Sequence, residues 1–188
     1  MCINDNQVIY RSRVEYDGLV KTITITIWVG ILALDTFIIY ITVMEFIQEA
    51  PPLISLVIFL LISLTIGILV ITYLLSPREY QLTRDAIIVK KTIGTIRIPY
   101  KAIKSIEIIR KLPGKGIRLW ASGGLYGFFG LFYFKDYGKV RVYVTNRHKV
   151  VLIKMKDDVP YMISPKDPKE FLEKLGEVAG IRLRHNYT

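Results

Sequence analysis

The sequence predicts a helical membrane hairpin followed by a mainly-β domain that ends in one helix. Three observations support this fold class: two long apolar stretches within the first 75 residues, a series of short alternating runs after them, and one amphipathic stretch near the end. Hydrophobic residues make up 52% of the 188 positions and the mean hydropathy is +0.36, which is high for a soluble protein. The membrane segments therefore have to be placed first.

The second apolar stretch, residues 53–75, is the clearest membrane span. It contains no charged residue over its 23 positions. With a rise of about 1.5 Å per residue, a helix of this length reaches roughly 34 Å, which exceeds the bilayer core of about 30 Å. Helices buried in soluble proteins are seldom apolar on every face for so long. A transmembrane helix is therefore predicted.

The first apolar stretch, residues 22–47, is predicted to be another transmembrane helix. Its Ile, Thr, Val and Phe content would favour a strand, but the run is far longer than a strand and no turn signal breaks it. A cleavable signal peptide is the alternative. It is not favoured, because no small-residue cleavage site follows and the next element is itself a membrane segment.

The short connection between the two predicted helices makes them an antiparallel hairpin. It carries Glu45 and Glu49 and no Lys or Arg. Basic residues flank the hairpin on both sides: Arg11, Arg13, Lys21, Arg78 and Arg84. The positive-inside rule therefore predicts a multi-pass protein of the cell membrane with both termini in the cytoplasm. The predicted units are a cytoplasmic segment at 1–21, the hairpin at 22–75, a β domain at 76–180 and a tail at 181–188.

One acidic residue, Asp35, lies near the middle of the first predicted helix. A charge at that depth costs at least about 2.5–3.5 kcal/mol on insertion scales. In an antiparallel hairpin Ser63 and Thr65 fall at a similar depth. Asp35 is therefore interpreted as structural, bonded to those hydroxyls or to a second subunit of a homo-oligomer. The alternative is an ion or proton pathway, with the chain as a structural or regulatory subunit of a membrane complex or transport system.

Beyond residue 76, short runs of alternating character predict about seven strands. The clearest is residues 140–145, where valine alternates with other residues at a period of two. The predicted strands are 79–83, 86–92, 93–99, 103–109, 140–145, 150–155 and 161–164. The period then changes: Asp167 suits an N-cap, Pro168 suits the first helical position, and Gly180 suits the end of a helix. One amphipathic helix is predicted to pack against the sheet.

Three stretches of this region are distinctive in sequence: residues 80–83 with 98–103, the glycine–aromatic run at 123–130, and residues 143–153 with 163–172. Together they resemble the bacterial pleckstrin-homology-like domains that follow membrane segments. The resemblance implies a seven-stranded sandwich or open barrel capped by a C-terminal helix, and it leaves the ligand open. It does not justify phosphoinositide binding, because the first hairpin turn, Arg84-Asp85, is too tight to form a headgroup cup.

No catalytic, metal or cofactor residues are predicted. His148 and His185 lie far apart, and Cys2 is the single cysteine, so the spacing of a zinc site is missing. The sequence has no G-x-S-x-G motif. The glycine-rich run lacks the Lys-Ser/Thr pair of a phosphate-binding loop. The chain is therefore expected not to be an enzyme and to need no cofactor.

The basic charge is confined to the C-terminal part. Residues 76–188 carry 23 Lys or Arg against 10 Asp or Glu, a formal charge of +13, whereas the first 75 residues carry −3. Such a charge attracts nucleic acid in general, but no helix-turn-helix or RNA-binding aromatic signature accompanies it. Nucleic acid is therefore not a favoured partner, and most of the lysines are expected to face an anionic leaflet.

The most unusual segment is residues 110–130, which combines basic, aromatic and glycine residues. The candidate contact residues for membrane or partner are Arg110, Lys111, Lys115, Arg118, Trp120, Tyr126, Phe128 and Phe129. Three interpretations remain open: a core-filling segment, a loop on the inner leaflet, or a groove for a partner protein. The predicted function is a membrane-anchored, non-enzymatic interaction module that binds a protein partner or contacts membrane lipids.

Overall fold

A computed structural model of the chain describes residues 8–46, 52–114 and 116–179. The helices are α1 (Gly18–Phe46), α2 (Pro52–Leu75) and α3 (Pro168–Ala179). The strands are β1 (Val8–Arg13), β2 (Pro77–Thr83), β3 (Ala86–Lys91), β4 (Thr95–Pro99), β5 (Ile103–Ile109), β6 (Gly116–Gly123), β7 (Phe128–Phe134), β8 (Gly138–Val144), β9 (Val150–Met155) and β10 (Tyr161–Ile163). A 3-10 turn, Tyr100–Ala102, precedes β5.

Both apolar stretches form long helices, and each is long and apolar enough to cross a membrane. Most of their large apolar side chains are exposed on the chain itself, as lipid-facing residues would be. The first helix begins at Gly18, four residues before the predicted start at 22, because the Asp17 side chain caps its first turn. Glu49 lies outside the described residues.

The strands form two sheets that pack against each other. One has the order β1-β2-β3-β4, and the other has the order β5-β9-β10-β8-β7-β6. Neighbouring strands are antiparallel except for β10 and β8, which are parallel. All seven predicted strands are present and the final helix follows them. The predicted fold class, a mainly-β sandwich with a C-terminal helix behind two apolar helices, is confirmed.

The N-terminal segment is more structured than the sequence analysis predicted. Residues 8–13 form β1, which pairs antiparallel with β2 and places Arg11 opposite Gln81. The helical hairpin returns the chain close to where it began, so a strand before the hairpin can join the sheet after it. The segment was predicted as a unit separate from the β domain, but its strand completes the four-stranded sheet.

The glycine–aromatic segment forms a hairpin of β6 and β7 rather than a loop. Its turn is closed by the Gly124 N–H, which donates to the Gly127 carbonyl at 2.9 Å. Gly124 and Gly127 have φ angles of 110° and 126°, which favour glycine. Aromatic residues on both faces of β7 hide the period of two, so the sequence pattern gave no clear strand signal here.

Two apolar cores lie on opposite faces of the six-stranded sheet. The first lies between the sheets and α3 and includes Val151 and Ile153 of β9, whereas the second includes Val150 and Leu152 of the same strand. Strand β9 is therefore buried on both faces, which explains its unbroken apolar run. Each fully buried aliphatic side chain of this kind contributes about 1.5–3 kcal/mol to folding.

Candidate membrane-proximal site

The start of α1 is joined to the β domain through Asp17. One carboxylate oxygen accepts the Val20 N–H at 2.8 Å, which caps the helix. The other accepts the backbone N–H of Arg147 at 3.0 Å and its guanidinium Nε at 2.8 Å. Arg147 lies between β8 and β9, so these charge-assisted hydrogen bonds connect the helix to the six-stranded sheet. We call this arrangement the Asp17 clamp.

The environment of Asp17 favours the ionised carboxylate. Burial raises the pKa of Asp17, but the hydrogen bonds from Val20 and Arg147 outweigh burial and leave the pKa below its ordinary value. The neighbouring Glu15 accepts a hydrogen bond from Lys149 at 2.7 Å, which is the main cause of its lowered pKa. The Glu15 carbonyl also accepts the Thr145 hydroxyl at 2.9 Å. The segment leading into α1 is therefore fixed at several points.

The end of α2 is also attached to the β domain. Helix α2 ends at Leu75, and β2 begins at Pro77 with Ser76 between them. The Ile93 N–H, between β3 and β4, donates to the Leu74 carbonyl at 3.0 Å. The Arg78 guanidinium lies 4.0 Å from the centre of the Tyr73 ring and donates to the Tyr16 hydroxyl at 2.9 Å. Both ends of the helical hairpin are thus attached to one domain.

The turn between β6 and β7 forms a third contact with the helices. The Tyr126 N–H donates to the Thr24 hydroxyl at 3.1 Å, and the Tyr126 hydroxyl accepts the Trp28 indole N–H at 2.6 Å. Thr24 and Trp28 are four residues apart and therefore share one face of α1. The Tyr126 ring also meets Tyr73 of α2 edge to face, with ring centres 5.3 Å apart. One tyrosine therefore touches both helices.

The structure distributes the eight predicted contact residues among different environments. Phe129 is buried, and Phe128 is half-buried beside the second core. Tyr126 packs on the helices as described above. The remaining described candidates are exposed: Arg110, Lys111, Arg118 and Trp120. Lys115 lies outside the described residues. The segment therefore combines a core-filling part, a helix contact and an exposed edge. Contact of the exposed residues with a membrane or a partner stays a prediction.

Trp120 is the most exposed large apolar residue of the described chain, at 87%. It lies on β6, at one edge of the six-stranded sheet, with Ile117 and Leu119 also exposed. We refer to Ile117, Arg118, Leu119 and Trp120 as the β6 edge. Large apolar residues grouped in this way on a surface usually mark a contact with a partner or a membrane.

A cleft of about 650 Å³ separates the β6–β7 hairpin from the helices. Its helical wall includes Ile68, Ile71 and Leu75 of α2, and its sheet wall includes Trp120 and Phe129. Two cations, Lys91 at the end of β3 and Arg118 of β6, also line it. The cleft therefore offers an apolar surface and two positive charges in one place.

The remaining predicted site residue, Asp35, is 8% exposed in a helix whose other residues are largely exposed. The Thr65 hydroxyl, one of its two predicted partners, donates instead to the Ile62 carbonyl at 2.8 Å. A structural role for Asp35 stays a prediction. Among residues 8–46, 52–114 and 116–179, no group of three or more His, Cys, Asp or Glu residues could hold a metal ion.

Sequence reasoning missed the contacts that join the helices to the domain. Asp17 directly before an apolar helix is an N-cap signal that could have been used. Its partner Arg147 could not have been identified, because 130 residues separate the two in the chain. Lys91 was not among the predicted site residues, since nothing in the sequence places it near α2.

A family model described as a bacterial PH domain matches residues 78–179, which is more than half of the chain. The match covers the region that resembles pleckstrin-homology-like domains in sequence and confirms that identification. It begins after α2 and includes strands β3 to β10 and α3 completely. No curated protein and no solved structure matches the chain.

Proposed function

Because the chain belongs to the bacterial PH domain family, a family of generally non-enzymatic interaction modules, we propose that it is a membrane-anchored interaction module. In this proposal α1 and α2 span the membrane and hold the PH domain in a fixed position on the cytoplasmic face. The observation that carries the proposal is the double attachment of the hairpin, through the Asp17 clamp at one end and the direct passage from α2 into β2 at the other.

The lengths of the helices support this arrangement. About 20 helical residues cross a bilayer core. Counted back from Phe46, such a span begins at Ile27, and counted forward from Pro52 it ends at Ile71. The first turns of α1 and the last turn of α2 then lie at the level of the lipid headgroups. Trp28, Tyr73 and Tyr126 come together at this boundary, where tryptophan and tyrosine are most favourable.

By the same count the β6–β7 turn would lie beside the headgroups, since Tyr126 bonds to Thr24 and Trp28. The β6 edge belongs to this hairpin, so it would lie at the cytoplasmic surface of the bilayer. Arg118 gains about 1 kcal/mol from an anionic surface at close range, and Trp120 suits the interface. We therefore propose contact with anionic lipid as the activity of this edge.

A protein partner is the alternative for the same edge. Strand β6 ends its sheet and pairs with β7 alone among the described strands, so a peptide strand could add to it. Lipid contact is favoured because the edge stands next to the two apolar helices.

Photo-crosslinking in native membranes separates the two partners. A photoreactive amino acid replaces Trp120 in one full-length variant and Asp157, exposed in the turn between β9 and β10, in a control. We expect lipid adducts at 120 and few at 157. Protein adducts at 120 would support strand addition instead, and equal lipid labelling at both positions would contradict a contact made by the β6 edge.

A membrane complex or transport system is a second candidate function, because Asp35 is nearly buried in an otherwise exposed helix. If Asp35 binds another subunit, Asp35→Leu should leave membrane insertion intact and reduce the size of the detergent-solubilised particle. The size can be measured by light scattering during gel filtration, with Thr36→Val as the neighbouring control. An unchanged size would remove the support for this candidate.

A further inference from the structure

We propose that the cleft between the β6–β7 hairpin and the helices binds one anionic phospholipid of the inner leaflet. Lys91 and Arg118 would hold the phosphate, and an acyl chain would lie along Ile68 and Ile71 of α2. This inference rests on the proposed function, because it requires α1 and α2 to span the membrane.

The position of the cleft agrees with the polarity of a phospholipid. Ile27 and Ile71, which line the cleft, are the residues at which the two 20-residue spans meet the cytoplasmic boundary. Ile68 lies one turn deeper in α2, whereas Lys91 and Arg118 belong to the β domain. The cleft therefore crosses from the level of the hydrocarbon to that of the headgroups, with its cations on the polar side.

The apolar wall continues along α2 beyond the cleft. Leu64 lies four residues before Ile68, and Leu61 lies three residues before Leu64. The three side chains therefore lie on the same helix face. Both are more than half exposed on the chain. A cleft of about 650 Å³ is within the usual range for a ligand site, and an acyl chain that entered it could extend along this face towards the bilayer centre.

Lys91 and Arg118 are available to bind a phosphate. Within the described residues, neither Lys91 nor Arg118 forms an ion pair with an acidic side chain, unlike Arg141 and Arg147, which do. Arginine can bind a phosphate through two parallel hydrogen bonds, and lysine adds a second charge. A zwitterionic lipid would satisfy the same phosphate contacts with less net attraction, so an anionic lipid is favoured.

The Arg118 side chain occupies space that is open because residue 123 is a glycine. A Cβ built on Gly123 would lie 2.5 Å from Arg118 Nε and 2.6 Å from the guanidinium carbon. The guanidinium therefore lies directly over the glycine. Gly123 has no positive φ, so alanine suits its backbone, and the flexible Arg118 side chain would move instead. Gly123→Ala should thus displace the guanidinium without removing its charge.

The test is native mass spectrometry of the full-length chain released from nanodiscs that contain equal amounts of phosphatidylglycerol and phosphatidylcholine. We expect one retained phosphatidylglycerol per chain. Lys91→Ala with Arg118→Ala should lower its occupancy at least tenfold, and Gly123→Ala should lower it severalfold. Arg110→Ala removes one charge from an exposed position that does not line the cleft and should leave occupancy unchanged.

A second pair of variants tests the acyl-chain part of the site. Ile71→Trp should fill the cleft and expel the lipid, whereas Val70→Trp, on the neighbouring residue outside the cleft, should not. The inference would be overturned if the Lys91→Ala, Arg118→Ala double variant kept as much phosphatidylglycerol as Arg110→Ala. It would also be overturned if the two tryptophan variants kept equal amounts. If the chain stays in carbonate-washed membranes but keeps no lipid, the inference alone fails. If carbonate releases the chain, the proposed function fails with it.

Discussion

The β domain is covered by helices in two places, and the two contacts are chemically different. Helix α3 buries Phe171, Leu172 and Leu175 in the first core. Helices α1 and α2 are joined to the domain by hydrogen bonds and ring contacts that involve Asp17, Tyr126 and Arg78, and a cleft remains between them. An apolar contact stabilises the fold, whereas directional hydrogen bonds define how one part sits against another. The comparison teaches that α3 completes the domain and that α1 and α2 orient it.

The largest effect should come from the apolar contact. Phe171 is fully buried, so Phe171→Ala should lower the free energy of unfolding by about 3–5 kcal/mol. Trp120→Ala removes a larger side chain from an exposed position and should change it by less than about 0.5 kcal/mol. Denaturant unfolding of the full-length chain in detergent, followed by circular dichroism, compares the two. Similar losses would show that Trp120 is part of a core.

The Asp17 clamp should have a smaller effect on stability and a clear effect on orientation. Asp17→Ala removes the helix cap and leaves Arg147 unpaired, which should cost about 1–3 kcal/mol. Asp17→Asn can retain the cap and should cost less. The readout is a disulfide between cysteines placed at Lys21 and His148, whose formation should slow in both variants. Asp167→Ala, which removes the cap of α3, is the control and should not affect it.

The clamp should also depend on pH. The pKa of Asp17 is below its ordinary value in the folded chain. The stabilisation is therefore fully present above the unfolded-state pKa of about 3.9, and it is lost as the pH falls through the folded-state pKa. Thermal unfolding between pH 6 and pH 3 should show the difference between the natural chain and Asp17→Asn shrinking at the acid end. A constant difference would argue against the ionised clamp.

The smallest effect should come from the contact between Tyr126 and Trp28. Tyr126→Phe removes the acceptor of the Trp28 indole N–H, a hydrogen bond of about 0.5–1.5 kcal/mol. The chain has two tryptophans, so Trp28 can be observed alone after Trp120→Phe. Its fluorescence emission should shift when Tyr126 is replaced. Tyr133→Phe is the matched control and should leave the emission unchanged, and a shift in that variant would show a nonspecific effect.

The parts of the fold that depend on composition and local pattern could be predicted from the sequence. The apolar helices follow from hydropathy, and α3 follows from its Asp167 cap and its apolar stripe. Strand β1 could not be placed, because its partner β2 follows the entire hairpin in the chain. The β6–β7 hairpin was missed because β7 has large apolar residues on both faces and does not alternate.

The candidate site could be predicted only in part. Trp120 and Arg118 were identified because aromatic and basic residues cluster in one segment. Two further residues of the cleft, Lys91 and Ile71, come from the end of a β strand and from the apolar helix α2, and only the packing of the helices against the domain brings them together. Long-range placement of this kind has no signature in a single sequence.

The central claim, a PH domain held by its helices with the β6 edge at the lipid surface, is tested most directly by the depth of Trp120. Trp28→Phe leaves Trp120 as the single tryptophan of the full-length chain. In liposomes whose lipids carry bromine high on their acyl chains, we expect strong quenching of Trp120, and weaker quenching after Asp17→Ala releases the clamp. Quenching by aqueous iodide alone, with none from the brominated lipids, would contradict the account.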